Sequence, residues 1–256
     1  MGDPDIALIA VGDQWNQRGY WEHRQVLNIN ERILAENGLA WGQIPKNLPL
    51  TVSAALKLEM EAFLDNFPEE FCCKDPRFVW TADIWASLAE STTIVAAFRN
   101  PSGFVKSISN VWPAAFDARR GLSEARSVEL TIWEESNRRL LELSATYPCS
   151  WICFDETTKI LKANLREIIG QLGKTLNEER FDEFFCPSLR HFSTRDEVHH
   201  RLIEPRYQEL YNCLLLETAK ISKSVSEKSV GHGYDMVVAD GSNQLRSDSS
   251  GGLNAS

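Results

Sequence analysis

The chain has 256 residues, 43% of them hydrophobic and 25% charged, with a formal net charge of −9. That length suffices for one α/β domain with a sizeable core. The acidic balance argues against a broad nucleic-acid surface but allows an anion in a local basic pocket.

Near the start, "DIALIAV" (5–11) is too short for the apolar core and cleavage site of a signal peptide, and acidic residues precede it. No run approaches the ~20 apolar residues of a membrane span. The cysteines at 72, 73, 149, 153, 186 and 213 form no CxxC pair and no zinc spacing. Cys72–Cys73 and Cys153 lie in apolar runs and read as reduced core residues. The expectation is a cytoplasmic protein with neither a membrane nor a nucleic acid as partner.

Helical spacing of Val26, Ile29, Ile33 and Leu34 predicts an amphipathic helix within 19–38, with Gly38 at its C-terminal cap. A loop (41–50) leads to a second amphipathic helix (51–67). "EEFCCKDPRFVWTADIW" (69–85) reads as a short buried strand broken at Pro76. "STTIVAAFRN" (91–100) is the clearest strand and is apolar on both faces, as in a parallel sheet. A helix begins at Pro101, a favoured first-turn residue. Residues 122–147 form a long helix, 149–156 a third buried strand and 157–173 another helix, with Gly173 just beyond it. Residues 194–220 are mostly helical, interrupted at Pro205. From 221 onward the Ser/Gly/Asp/Asn-rich composition predicts a disordered tail, so the domain is set at 1–220 and the tail at 221–256.

Strands alternating with helices predict an α/β fold, a mainly parallel sheet flanked by helices. Ligands in such folds bind beyond the C-terminal ends of the strands. Arg99, Asp155–Glu156 and Lys74–Asp75 all stand at such ends. In "VAAFRNPSGFVKSISNVW" (95–112) the Arg99 guanidinium closes a hydrophobic strand. A charge there is costly unless paired. Either a protein carboxylate such as Asp155 pairs with it, or a ligand does. A guanidinium, a hydroxyl from Ser107 and helix N-terminal N–H groups would together cradle a phosphate.

Five segments occur in an order that resembles the sulfotransferase family, bacterial type: "KDPRF" (74–78), "FRNPSGFVKSIS" (98–109), a helix carrying "WEESNRRLL" (133–141), "WICFDE" through "LREIIGQLG" (151–173) and "CPSLRH" (186–191); "NQRGYWEHRQVLNINERIL" (16–34) matches as well. The likeness spans about residues 12–217. It implies a three-layer, P-loop NTPase-like fold. It also implies transfer of a sulfuryl group from the co-substrate 3′-phosphoadenosine 5′-phosphosulfate to a hydroxyl or amine of a small-molecule or glycan acceptor, without a metal. Within this resemblance Arg99 and Ser107 hold the 3′-phosphate, and Arg190, next to His191, gives it a second cation. Lys74 and Arg77 face the sulfate. Glu22 is the base, with His23 as the alternative.

Each of these residues also has a structural reading. Glu22 and His23 could be exposed first-turn helix residues. Lys74 and Arg77 could order a turn around Asp75, Arg190 could be an ordinary loop residue, and Asp155–Glu156 reads as a helix cap. Trp80, Trp85, Trp112 and Trp133 line either a cleft or the core. His199 and His200 point about 100° apart on a helix and read as solvated.

The family's Gly-rich phosphate loop, G-x-x-R-S-G-T-[ST], does not occur, nor does GxxxxGK[ST], which removes a P-loop kinase. The expectation is therefore an N-terminally shortened sulfotransferase. The competing expectation is a non-catalytic binding module that keeps only the 3′-phosphate half of the donor site. A missing central strand would leave apolar edges open to self-association.

Overall fold

A computed structural model describes residues 20–66, 72–111, 122–185 and 204–229. The chain divides into Met1–Ile221 and Ser222–Ser256. Of the second unit, only the helical residues 222–229 are described.

The first region is helical. Helix α1 (Arg24–Glu36) turns its Val26, Ile29, Ile33 and Leu34 stripe inward. It ends where Gly38 takes φ 70°, a left-handed conformation that suits glycine. There the Gly38 and Leu39 N–H groups donate back to Ala35 and Leu34, closing the end of the helix. Helix α2 (Ala54–Leu64) starts at Ser53, whose Oγ accepts from Leu56 N–H and donates to Glu36 Oε1 at 2.7 Å. Helix α3 (Phe78–Ala86) completes a core with Leu56, Met60, Phe63, Trp80, Ile84 and Trp85. The strand expected at the start of 69–85 is not found over residues 72–75, which have no regular structure. Asp75 organises that turn instead: its Oδ1 accepts from Arg77 N–H at 2.8 Å, its carbonyl from Phe78 N–H.

The second region holds a small parallel sheet. Strand β1 (Ile94–Phe98) leads into α4 (Pro101–Val111) and α5 (Leu122–Thr146), which return the chain to β2 (Cys149–Cys153). The strands pair in register from Ile94 opposite Cys149 to Phe98 opposite Cys153. Helices α6 (Thr158–Gln171), α7 (Glu178–Phe184) and α8 (Pro205–Ser229) follow. Ala96, Phe98, Trp151 and Cys153 pack on Leu130 and Trp133 of α5 and on Tyr207, Leu210 and Leu214 of α8. On the other face Ile152 meets Leu161 and Ile168 of α6.

Three details differ from the sequence reading. Strand β1 is not buried on both faces: Val95 remains 43% exposed, because among the described residues α6 covers β2 rather than β1. Thr157, not Asp155 or Glu156, caps α6. The helix that starts at Pro205, where the interruption was expected, runs to Ser229, nine residues into the predicted tail, while 194–203 lie outside the described residues. Proline suits a first turn, where its missing N–H costs nothing.

The two regions are tied by Asp83 of α3, which accepts from Arg139 of α5 and from the Tyr147 hydroxyl at 3.3 Å. No described helix is long and apolar enough to cross a membrane.

Candidate functional site

Two groups of the singled-out residues assemble, one in each region. In the helical region the "GYWEH" and "KDPR" segments meet. Trp21 adopts φ 55°, uncommon for a bulky residue, just before Glu22. Glu22 is neither exposed nor helical: it is 7% exposed and accepts from Lys74 Nζ at 2.7 Å. Arg77 stands 3.9 Å from its second oxygen.

Arg77 in turn contacts Asp75 at 3.1 Å and Glu31 at 2.8 Å, with Trp41 stacked 4.7 Å from its guanidinium carbon. Behind them lies Asn30, fully buried. It donates to Asp75 Oδ2, and its Oδ1 accepts from Thr81 and from the Trp85 indole. The Asp75-centred reading of "KDPR" therefore holds for Arg77. Lys74, largely exposed, reaches Glu22 and the Tyr20 carbonyl.

His23 caps the start of α1 through its backbone, and its ring meets Phe63 edge-on at 5.1 Å. Partial burial lowers its proton affinity below the usual imidazole value, since desolvation disfavours the cation. An open groove of about 810 Å³ runs from His23 along α1 and α2, past Asn28, Glu31, Arg32 and Glu59.

The second group lies at the C-terminal ends of the strands. Phe154 N–H donates to the Phe98 carbonyl, so Arg99 and Phe154 leave the sheet side by side. The Arg99 guanidinium carbon stands 5.5 Å from the Phe154 ring centroid, and Phe154 is braced edge-on by Phe185 at 6.2 Å. The Arg99 side chain rests on the first turn of α4, over Gly103. Its carbonyl accepts from the Trp133 indole at 2.9 Å.

Ser107 is half-buried on α4, four residues beyond Gly103 and so one turn further along the same helix face. Helical side chains lean toward the N-terminus, so Ser107 leans toward Arg99. Asp155 binds the Asn100 N–H and accepts from Tyr211 of α8 at 3.3 Å. Burial first, then Cys153 and Asp155, push the Tyr211 phenol well above its ordinary value, so it remains a donor.

One part of the phosphate cradle is absent. Pro101 has no N–H. The Gly103 N–H donates to Asn100 Oδ1 at 2.6 Å, and the Phe104 N–H donates to the Asn100 carbonyl at 3.0 Å. The α4 N-terminus is therefore largely satisfied by its own cap, which leaves the Arg99 and Ser107 side chains as the parts of the expected cradle that are present.

Arg190, His191, His199, His200 and Trp112 lie outside the described residues. Trp80, Trp85 and Trp133 are core residues. Burial pushes the Cys73 and Cys149 thiols up to about 11, which suits packing rather than nucleophilic chemistry. Sequence reasoning missed Asn100, Gly103 and Phe154. Asn100 had a readable signal, a capping residue directly before a first-turn proline. Comparison of the chain with protein-family models, curated proteins and solved structures finds no match.

Proposed function

We propose that this chain is a sulfotransferase with a three-layer, P-loop-like fold, acting in the cytoplasm with 3′-phosphoadenosine 5′-phosphosulfate as co-substrate. The observation that carries the reading is Arg99: its guanidinium rests on α4 one turn before Ser107, at the C-terminal end of a parallel strand. A fixed guanidinium fork with a neighbouring hydroxyl suits a phosphate monoester.

In the reaction the bond from sulfur to the bridging phosphate oxygen breaks, and its electron pair leaves with adenosine 3′,5′-bisphosphate. A new bond forms between sulfur and the acceptor oxygen or nitrogen, whose proton passes to Glu22 or His23. Lys74 has three donors, so it can hold Glu22 and offer a further N–H to the sulfuryl oxygens. The groove beside His23 is where a small-molecule or glycan acceptor would lie. The exposed Val95 face of β1 supports self-association.

A second reading, a non-catalytic binding module, is favoured by Glu22. Its carboxylate is buried and already engaged by Lys74 and Arg77, which opposes a role as a free base.

The test is a thermal melt titrated with adenosine 3′,5′-bisphosphate, with 5′-AMP and Arg99→Ala as controls. At ~100 times its dissociation constant the bisphosphate should add about 2.7 kcal/mol to stability. 5′-AMP should add little, and Arg99→Ala should abolish the gain. No shift in the wild-type chain overturns the donor-site reading. Binding without sulfur transfer from labelled co-substrate to hydroxyl and amine acceptors selects the binding module.

A further inference from the structure

Glycine inside a helix is less favourable than alanine, so a glycine in the first turn of α4 needs a reason. At Gly103 the reason is space. A β-carbon there would stand 3.0 Å from both Nε and Nη2 of Arg99 and 3.2 Å from Asn100 Oδ1. Such contacts are tighter than nine in ten that real β-carbons make, so a neighbour must give by a few tenths of an ångström.

Asn100 cannot yield. Its N–H is held by Asp155, its side-chain oxygen accepts from Gly103 N–H, and its carbonyl accepts from Phe104 N–H. The group that must move is the long, flexible Arg99 side chain, whose guanidinium would be lifted off α4 by a few tenths of an ångström and lose its present fit between the helix and Phe154.

We infer that Gly103 is a positioning residue: its missing side chain is the seat that holds the Arg99 guanidinium against α4. A guanidinium fixed before the ligand arrives loses less freedom on binding, and that is how a seat raises affinity. The consequence for ligand rests on the reading of Arg99 as an anion-binding group; the seat itself does not.

The experiment is a double-mutant cycle on the full chain, with Gly103→Ala in the wild-type and Arg99→Ala backgrounds. Two quantities are read: the melting temperature without ligand and the dissociation constant of adenosine 3′,5′-bisphosphate. Alanine is the better helix former and the 3.2 Å contact with Asn100 is common to both backgrounds, so the difference between them isolates what Gly103→Ala does to Arg99. The melting shift from Gly103→Ala should be lower when Arg99 is present, by at least ~2 °C, because neighbours that clash couple. The bisphosphate should bind Gly103→Ala at least about tenfold more weakly than wild type.

Equal melting shifts in the two backgrounds overturn the seat, even if Gly103→Ala alone folds poorly. Coupling with an affinity within twofold of wild type overturns the positioning role. A wild-type chain that shows the coupling but binds no bisphosphate keeps the seat and removes the anion reading.

Discussion

The helical region and the strand ends treat polar groups in opposite ways. Around Asn30 the polar side chains are buried and satisfy one another: Asp75, Thr81 and Trp85 all converge on one amide from 45 to 55 residues away. At the end of β1, Arg99 and Phe154 are instead held by surface contacts, a helix turn and a ring edge, and neither is deeply buried. A satisfied buried network specifies packing, because an unmet donor inside is costly. A guanidinium that stands partly exposed at the end of a strand stays within reach of solvent. The difference marks the first region as mainly structural and the second as the place where the proposed ligand contact is to be tested, with Glu22 and Lys74 at the margin between the two roles.

The largest effect should come from breaking the first network. Asp75→Ala leaves the buried Arg77 without one of its carboxylates and Asn30 without an acceptor. Removing one partner of a buried pair costs about 3–5 kcal/mol, read as a lower urea midpoint. A loss below about 1 kcal/mol would mean that the region relaxes around the gap, and the contrast would fail.

Asn100→Ala should cost less in stability, about 1 kcal/mol, the usual value of a helix cap. It should weaken bisphosphate binding as well, because Asn100 fixes the turn that carries Arg99. Loss of stability with unchanged affinity would mark the cap as purely structural.

The smallest effect is the pH response of His23. Its proton affinity is lower in the folded chain than the ordinary value of 6.5, so the unfolded chain binds the proton more tightly. Stability therefore falls as pH drops through and below about 6.5 and recovers above it. His23→Gln should flatten that part of a urea-midpoint profile between pH 5 and 7.5. An unchanged slope would assign the response to other groups.

Much of the local structure was legible. The apolar stripe of α1, the Gly38 and Gly173 ends, the Pro101 start of α4 and the apolar run of β1 are set by near neighbours in sequence. The Glu22–Lys74 pairing and the helix that begins at Phe78 were not legible. Asp75 reads equally well as a turn former or as the end of a strand until its backbone partners are known. Phe154 reads as part of a buried strand over 149–156, yet it is 41% exposed, because β2 ends at Cys153.

By itself the sequence determined α1, α2, α4, α5, α6 and the two strands, though not α3 or α7, because periodicity, caps and turn chemistry act over a few residues. It also placed Arg99 at a strand end and Ser107 eight residues later. Only the tertiary structure decided that Asn30, a polar residue on a helix, is fully buried, since its partners come from a distant helix. Only the tertiary structure showed that Gly103 is small for Arg99 and not for its own backbone. Such contacts depend on how close two surfaces come, and no local pattern of residues encodes that distance.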